Sequence, residues 1–182
     1  RYPIIEVVTM VVFLAHYWVI GPDIVLVPRL LFACMLIVLF AIDLEHHLLP
    51  NAITLPGIVI GLLFSLLLPP GIVSAALGAL IGGGSLWLIG EAYYRFSGQE
   101  GMGGGDVKML AMIGAFLGWK LAIVTLVFSS IAGALIGVLV LAIRKGGLKY
   151  ALPYGTFLAL GALVASLFGD QIVAWYVGLY AI

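Results

Sequence analysis

Charge is what this chain has least of. Its 182 residues include eight Lys and Arg and eight Asp and Glu, 9% charged in all, with no net charge at neutral pH. A soluble domain carries roughly 25% charged residues, so an ordinary water-facing surface is excluded. No basic stripe with interleaved aromatics is present, which excludes a nucleic-acid partner. Cysteine is almost missing too: Cys34 alone excludes an intrachain disulfide and a cysteine-only metal site, and its place in an apolar run reads as packing. The first residues lack a basic start, a short apolar core and a small-residue cleavage site, so no signal peptide is expected. Long linkers, repeats, low-complexity tracts and soluble domains are likewise lacking, and residues 1–182 read as a single transmembrane domain.

What is abundant is apolar chain, 64% of the residues. A hydrocarbon core about 30 Å thick takes roughly 20 residues of helix. Breaks at Gly-Pro, Pro-Pro-Gly and the charged clusters divide the chain into helices near 4–20, 27–40, 53–68, 72–96, 107–118, 121–143, 156–168 and 171–182. The expected fold is an all-α polytopic membrane helix bundle of about seven to eight helices, some short or re-entrant. The segment 107–118 is too short to cross alone and belongs inside the bundle, shielded by protein. Alternating the helices puts Arg1, Arg95, Lys108, Arg144, Lys145 and Lys149 on one side and Arg29 and Lys120 on the other. The richer side is expected to be cytosolic, and it carries both the loop after Phe40, with Asp43, and the loop after Phe96, with Asp106. Trp18, Tyr93, Tyr94, Trp119 and Trp175 near helix ends suit an interfacial belt beside lipid.

Those two aspartates stand in an otherwise apolar context, Asp43 in A-I-D-L-E-H-H-L-L-P-N and Asp106 in G-M-G-G-G-D-V-K. An ionisable group in or beside a membrane helix is costly unless paired or wetted, and marks a functional site by default. Asp106 also has a plain structural reading, as a helix-capping residue after a flexible turn. Asp43 follows a long helix, where the negative end of the dipole disfavours an anion; its plain reading is a solvated loop carboxylate. Gly103, Gly104 and Gly105 leave room for the close approach of another backbone, such as an extended peptide. A metal site made of Asp43, Glu45, His46 and His47 is a rival, but consecutive histidines point about 100° apart on a helix, whereas helical sites favour i, i+4 pairs; no metal or other cofactor is expected. A serine nucleophile at Ser85 is a second rival, weakened because Gly82-Gly83-Gly84 reads as helix packing and a serine needs a base within reach. Pro153-Tyr154-Gly155 reads as a break before the next helix, and Glu6 as a first-turn acid or a residue facing the polar site.

The residues resemble those of the type IV prepilin peptidases, membrane aspartyl proteases whose second aspartate stands in a Gly-x-Gly-Asp motif. The motif here is Gly103-Gly104-Gly105-Asp106. The likeness extends to Arg1-Tyr2-Pro3 with Glu6, to Asp43 followed by Leu49-Pro50-Asn51 and Thr54-Leu55-Pro56, to Glu100-Gly101-Met102, Lys108 and 114–119, and to Pro153-Tyr154-Gly155. Many bacterial members have aspartate at the place of Asn51 and Pro-Phe-Gly-Pro at the place of 153–156. The resemblance implies that Asp43 and Asp106 are the catalytic pair. It also implies that a short basic leader is removed from prepilins or pseudopilins, of pili or of type II secretion, at the cytosolic face of a bacterial inner membrane. On this reading Glu6, Glu45, Glu91 and Glu100 attract the leader, and the glycines, Lys108 and Pro153-Tyr154-Gly155 line the substrate's path. The cysteine-bearing region tied to amino-methylation in bifunctional members is not among these residues, so the chain as given is not expected to methylate. Dipoles and the nearness of Lys108 make Asp43 the expected proton holder and Asp106 the expected anion. The alternatives are a cation-binding or proton-relay transporter subunit, whose acids belong near the bilayer midplane, and a preflagellin or presenilin-like protease.

Overall fold

The structure, a computed structural model, describes residues 2–99, 101, 103–143 and 153–180. Among these are seven helices and no strand: α1 (Tyr2–Ile20), α2 (Leu26–His46), α3 (Asn51–Phe64), α4 (Ile72–Ser97), α5 (Gly104–Leu117), α6 (Trp119–Ile143) and α7 (Tyr154–Tyr180). Helices α1, α2, α4, α6 and α7 are long and apolar enough to cross a membrane. Their outward faces carry large exposed hydrophobics, including Trp18, Leu80, Phe96 and Trp175, which a hydrocarbon solvent satisfies and water does not.

The short helix α5 is the axis of the bundle, packed against α3, α4, α6 and α7. It is apolar around its whole circumference, with every residue from Met112 to Leu117 buried, as a helix with no solvent face must be. Glycine allows this crowding. Gly78 and Gly82 on α4 form a Gly-x-x-x-Gly face against Gly114 and Leu110 of α5, so the two backbones touch without side chains between them. A Cβ at Gly82 would lie 2.7 Å from the Leu110 carbonyl oxygen, and one at Gly114 would overlap the Gly78 carbonyl. Ser85 belongs to this packing, its hydroxyl donating to the Gly82 carbonyl at 2.9 Å. A single residue, Gly118 at φ +82°, turns α5 into α6.

Three boundaries differ from the sequence reading. The last helix is continuous where a break at Gly169-Asp170 is expected, because Gly169 is a packing residue: a Cβ there would come 2.6 Å from Leu121 Cδ2. Helix α2 continues past Phe40 to His46, so Asp43 stands in its last turn and not in a loop. Helix α5 takes in Gly104 and Gly105, which places Asp106 in its first turn. Away from these acids, α1, α2 and α7 are tied by a buried polar chain. Arg29 Nη1 donates to Ser166 Oγ (3.3 Å), and Ser166 Oγ lies 3.1 Å from His16 Nε2. His16 Nδ1 is 2.8 Å from the Val12 carbonyl, which can only accept. Nδ1 therefore carries the proton and Nε2 accepts from the serine.

Candidate active site

Asp43 continues a buried stripe. Phe32, Leu36 and Leu39 are fully buried on one face of α2, and the next position of that face is Asp43, 4% exposed. The helix ends one turn later through His47, whose left-handed backbone (φ 52°, ψ 37°) lets its N–H cap the Asp43 carbonyl at 2.9 Å. The side chain is met by the start of α7. The Thr156 N–H donates to Asp43 Oδ2 at 2.7 Å, while the Thr156 hydroxyl donates to the Pro153 carbonyl at 2.6 Å and closes the turn. First-turn N–H groups have no partner within their own helix, and the positive end of the dipole favours a carboxylate. Gly155 is what lets the carboxylate in: a Cβ there would lie 2.8 Å from Asp43 Oδ2 and 3.0 Å from its Cγ.

Asp106 enters from the first turn of α5, its N–H bonded to the Gly103 carbonyl at 3.1 Å. Burial first, then the neighbouring Asp43 charge, push its carboxyl up from 3.8 to about 6 against the opposing pull of the Gly103 backbone hydrogen bond. The chain thus brings together two acids 63 positions apart, close enough to feel each other's charge. Asp43 is buried as well, but the Thr156 N–H and the α7 N-terminus favour its charged form, whereas burial and the charge of Asp43 favour the neutral form of Asp106. These local fields run opposite to the order expected from sequence. Lys108 does not alter this, because residues at i and i+2 lie on different sides of a helix. Its Nζ donates instead to Asn51 Oδ1 at 2.8 Å, linking α5 to the start of α3.

The three glycines have different duties. A Cβ at Gly105 would lie 2.9 Å from Leu49 Cβ, whereas one at Gly104 meets nothing within 4 Å and one at Gly103 comes no nearer than 3.4 Å, to Asp106 Oδ2. Gly104 lines a groove of about 330 Å³ between α4 and the start of α5, together with Trp87, Glu91, Tyr94, Gly101 and Val107. Tyr154 turns its hydroxyl to Ser130 (3.2 Å) and Ser129 (3.4 Å) on α6, and Pro153 is half-buried.

The acidic residues expected to receive a basic leader are scattered. Glu6 is exposed on α1. Glu45 lies 4.0 Å from His46 Nε2 and lines a larger groove, about 760 Å³, between α1 and α2, which neither aspartate reaches. Glu91 is bound by Arg95 at 2.9 Å, and Glu100 lies outside the described residues. Glu45, His46 and His47 are exposed while Asp43 is turned inward, so these four are not gathered as ligands. Sequence reasoning missed Thr156 as a partner of Asp43 and Leu49 as a contact of both Gly105 and Gly155. The one signal for Thr156 was its position three residues into a helix that begins after proline.

The profile described as the type IV leader peptidase family matches residues 30–138, a span that contains both aspartates. The chain belongs to that family. It is similar to proteins named prepilin leader peptidase/N-methyltransferase. The one from Pseudomonas putida is 38% identical over 177 residues, covering 96% of this chain and 61% of the relative. Those from Aeromonas hydrophila (38% over 179 residues, 97% and 61%) and Legionella pneumophila (39% over 183 residues, 98% and 62%) are alike. The chain thus spans about three fifths of the length of the curated relatives it matches. No solved structure matches it.

Proposed function

We propose that this chain is a membrane-embedded aspartyl endopeptidase that removes the leader peptide of type IV prepilins or pseudopilins at the cytosolic face of a bacterial inner membrane. The observation that carries the reading is the meeting of Asp43 and Asp106 at one end of the bundle, with Asp43 Oδ2 held by the Thr156 N–H at 2.7 Å. Two carboxyls sharing one proton are the chemistry of aspartic proteases. Asp43, ionised, takes a proton from water as the water attacks the scissile carbonyl carbon. Asp106, protonated, donates its hydrogen to the carbonyl oxygen. The resulting diol collapses as the C–N bond breaks: Asp43 gives its new proton to the leaving amine while Asp106 takes one back from a diol hydroxyl, which restores the pair. Both acids stand in end turns of their helices. A relay through the membrane would call for acids near its midplane, so this placement favours hydrolysis over transport.

The groove between α4 and α5 runs beside the Asp106 turn, and its exposed glycines admit an extended backbone. It is the proposed path of the substrate segment that is cut. Incubating the purified chain with a prepilin carrying its basic leader, then sequencing the product, is the direct test: the expected result is one cut at the junction of leader and apolar helix, and an intact precursor overturns the reading.

The cytosolic orientation rests on basic residues. Arg95 and Lys108 lie toward the aspartate end, and Arg29 and Lys120 toward the other. In a Cys34→Ser background, Glu45→Cys and Ser97→Cys are expected to react with an impermeant thiol reagent from the cytosolic side only, and Leu67→Cys from the opposite side only. Labelling of positions 45 and 97 from different sides would break this topology.

The pH dependence follows from Asp106. The acid must carry its proton, a form that predominates below about 6 and is lost as pH rises through that value. Cleavage is expected to increase as pH falls from neutrality toward 6, then to decline as Asp43 itself protonates, with both limbs belonging to the coupled pair. A rate that is flat from pH 6 to pH 8, measured at saturating substrate, would contradict the assignment.

A further inference from the structure

The Leu49 side chain lies against both of the glycines beside the aspartates, Gly105 and Gly155. On one side its Cβ is 2.9 Å from the place a Cβ would occupy at Gly105, one residue before Asp106. On the other, its Cδ1 is 2.9 Å from the corresponding place at Gly155, the same point that Asp43 Oδ2 approaches at 2.8 Å. The first turn of α5, the first turn of α7 and the Asp43 carboxylate therefore close around a single leucine. The chain reaches this position by a short path. His47 ends α2 in the left-handed conformation, and Pro50 starts α3 from an extended one. Between them Leu48 faces outward, 67% exposed, and Leu49 turns in.

We propose that Leu49 is a positioning residue: a wedge between α5 and α7 whose bulk sets the spacing of the Asp43 and Asp106 carboxyls. The inference rests on the peptidase reading above and deepens it. The two glycines leave a slot with no side chains of its own, and a close-packed interior transmits a change of filling as a shift of the surrounding backbone. Removing three carbons from Leu49 empties the Gly155 side of the slot while Cβ stays against Gly105, so the start of α7 settles toward α5. The Thr156 N–H moves with α7 and carries the Asp43 carboxylate with it, so the pair loses register while neither acid is altered chemically. Methionine, unbranched and of similar volume, refills the slot. A wedge of this kind acts on the placement of the carboxyls, and its loss is read in kcat and not in KM.

The test uses the purified chain with a prepilin precursor, comparing Leu49→Ala, Leu49→Met and, as an exposed neighbour, Leu48→Ala. Misplacing reacting groups by about 1 Å costs on the order of 100-fold. Leu49→Ala is expected to lower kcat by about that factor with KM nearly unchanged, to weaken binding of a hydroxyl-bearing transition-state isostere peptide in parallel with kcat, and to keep a melting temperature close to that of the parent. Leu49→Met restores most of kcat, and Leu48→Ala keeps it. A Leu49→Ala chain with parental kcat overturns the proposal. So does a loss that appears only as a raised KM, or one that tracks a collapse in melting temperature and is not recovered by methionine. If the parent chain itself leaves the precursor intact, the peptidase reading fails, a result distinct from any of these.

Discussion

Asp43→Asn and Asp106→Asn are each expected to lower leader cleavage by about 10⁴-fold, the upper range for loss of general acid–base catalysis, with the protein still inserted and folded. An amide at position 43 still accepts the Thr156 N–H but cannot take a proton from water. An amide at position 106 offers a hydrogen it cannot give up. The two variants should part company in stability. A carboxyl lifted from 3.8 to about 6 holds its proton more tightly in the folded state than in the unfolded one. The folded state therefore binds more protons between those values, and stability is lost as pH rises through them. Asp106→Asn removes that loss, about 3 kcal/mol near neutral pH, and its melting temperature in detergent should exceed the parent's there, with the difference vanishing below about pH 4. Ser85→Ala should cleave normally, since its hydroxyl serves the Gly82 carbonyl. Comparable processing by either aspartate variant at matched membrane levels would sink the dyad.

Gly155→Ala is expected to lower kcat by on the order of 100-fold, a smaller loss than removal of either aspartate but the largest expected from a single added methyl. The added methyl would occupy a point 2.8 Å from Asp43 Oδ2 and 2.9 Å from Leu49 Cδ1. Neither neighbour can retreat cheaply, because one is fixed by the Thr156 N–H and the other by Gly105. The carboxylate must leave its donor, and with it the bond that keeps it ionised. Gly84→Ala on α4, away from the proposed substrate path, makes the control: its Cβ meets nothing within 4 Å, so the parent fold and kcat should persist. Equal activities for the two variants, measured on the same precursor, would show that Gly155 is not the door to Asp43.

The glycine segment shows how far sequence reaches. Gly103-Gly104-Gly105 was legible as a place of close approach, yet only Gly105 is closed by protein. Which of three identical residues meets a neighbour depends on Leu49, more than fifty positions away. The helix around Asp43 was underestimated for a related reason. Polar residues after Phe40 look like loop when propensity and polarity are all that is visible, but a buried donor from another helix makes a further turn favourable. The break expected at Gly169-Asp170 failed because a packing glycine and a helix-ending glycine are the same letter.

By itself the sequence determined an all-α membrane bundle, because so little charge and so much apolar chain leave no other backbone satisfied in lipid. It also determined that two carboxyls end up at one end of that bundle, because short loops force successive helices to alternate in direction. Only the tertiary structure brought together the groups that bear on which carboxyl holds the proton. Read along the chain, Asp43 has just the negative end of its own helix and Asp106 the positive end of its own, which favours a proton on Asp43. In the folded protein the free N–H of Thr156 and the dipole of α7 arrive at Asp43 from 113 residues away. Burial and the charge of Asp43 then fall on Asp106. The field at a buried acid is the sum over every helix end that reaches it, and helix ends from distant parts of the chain meet only after folding.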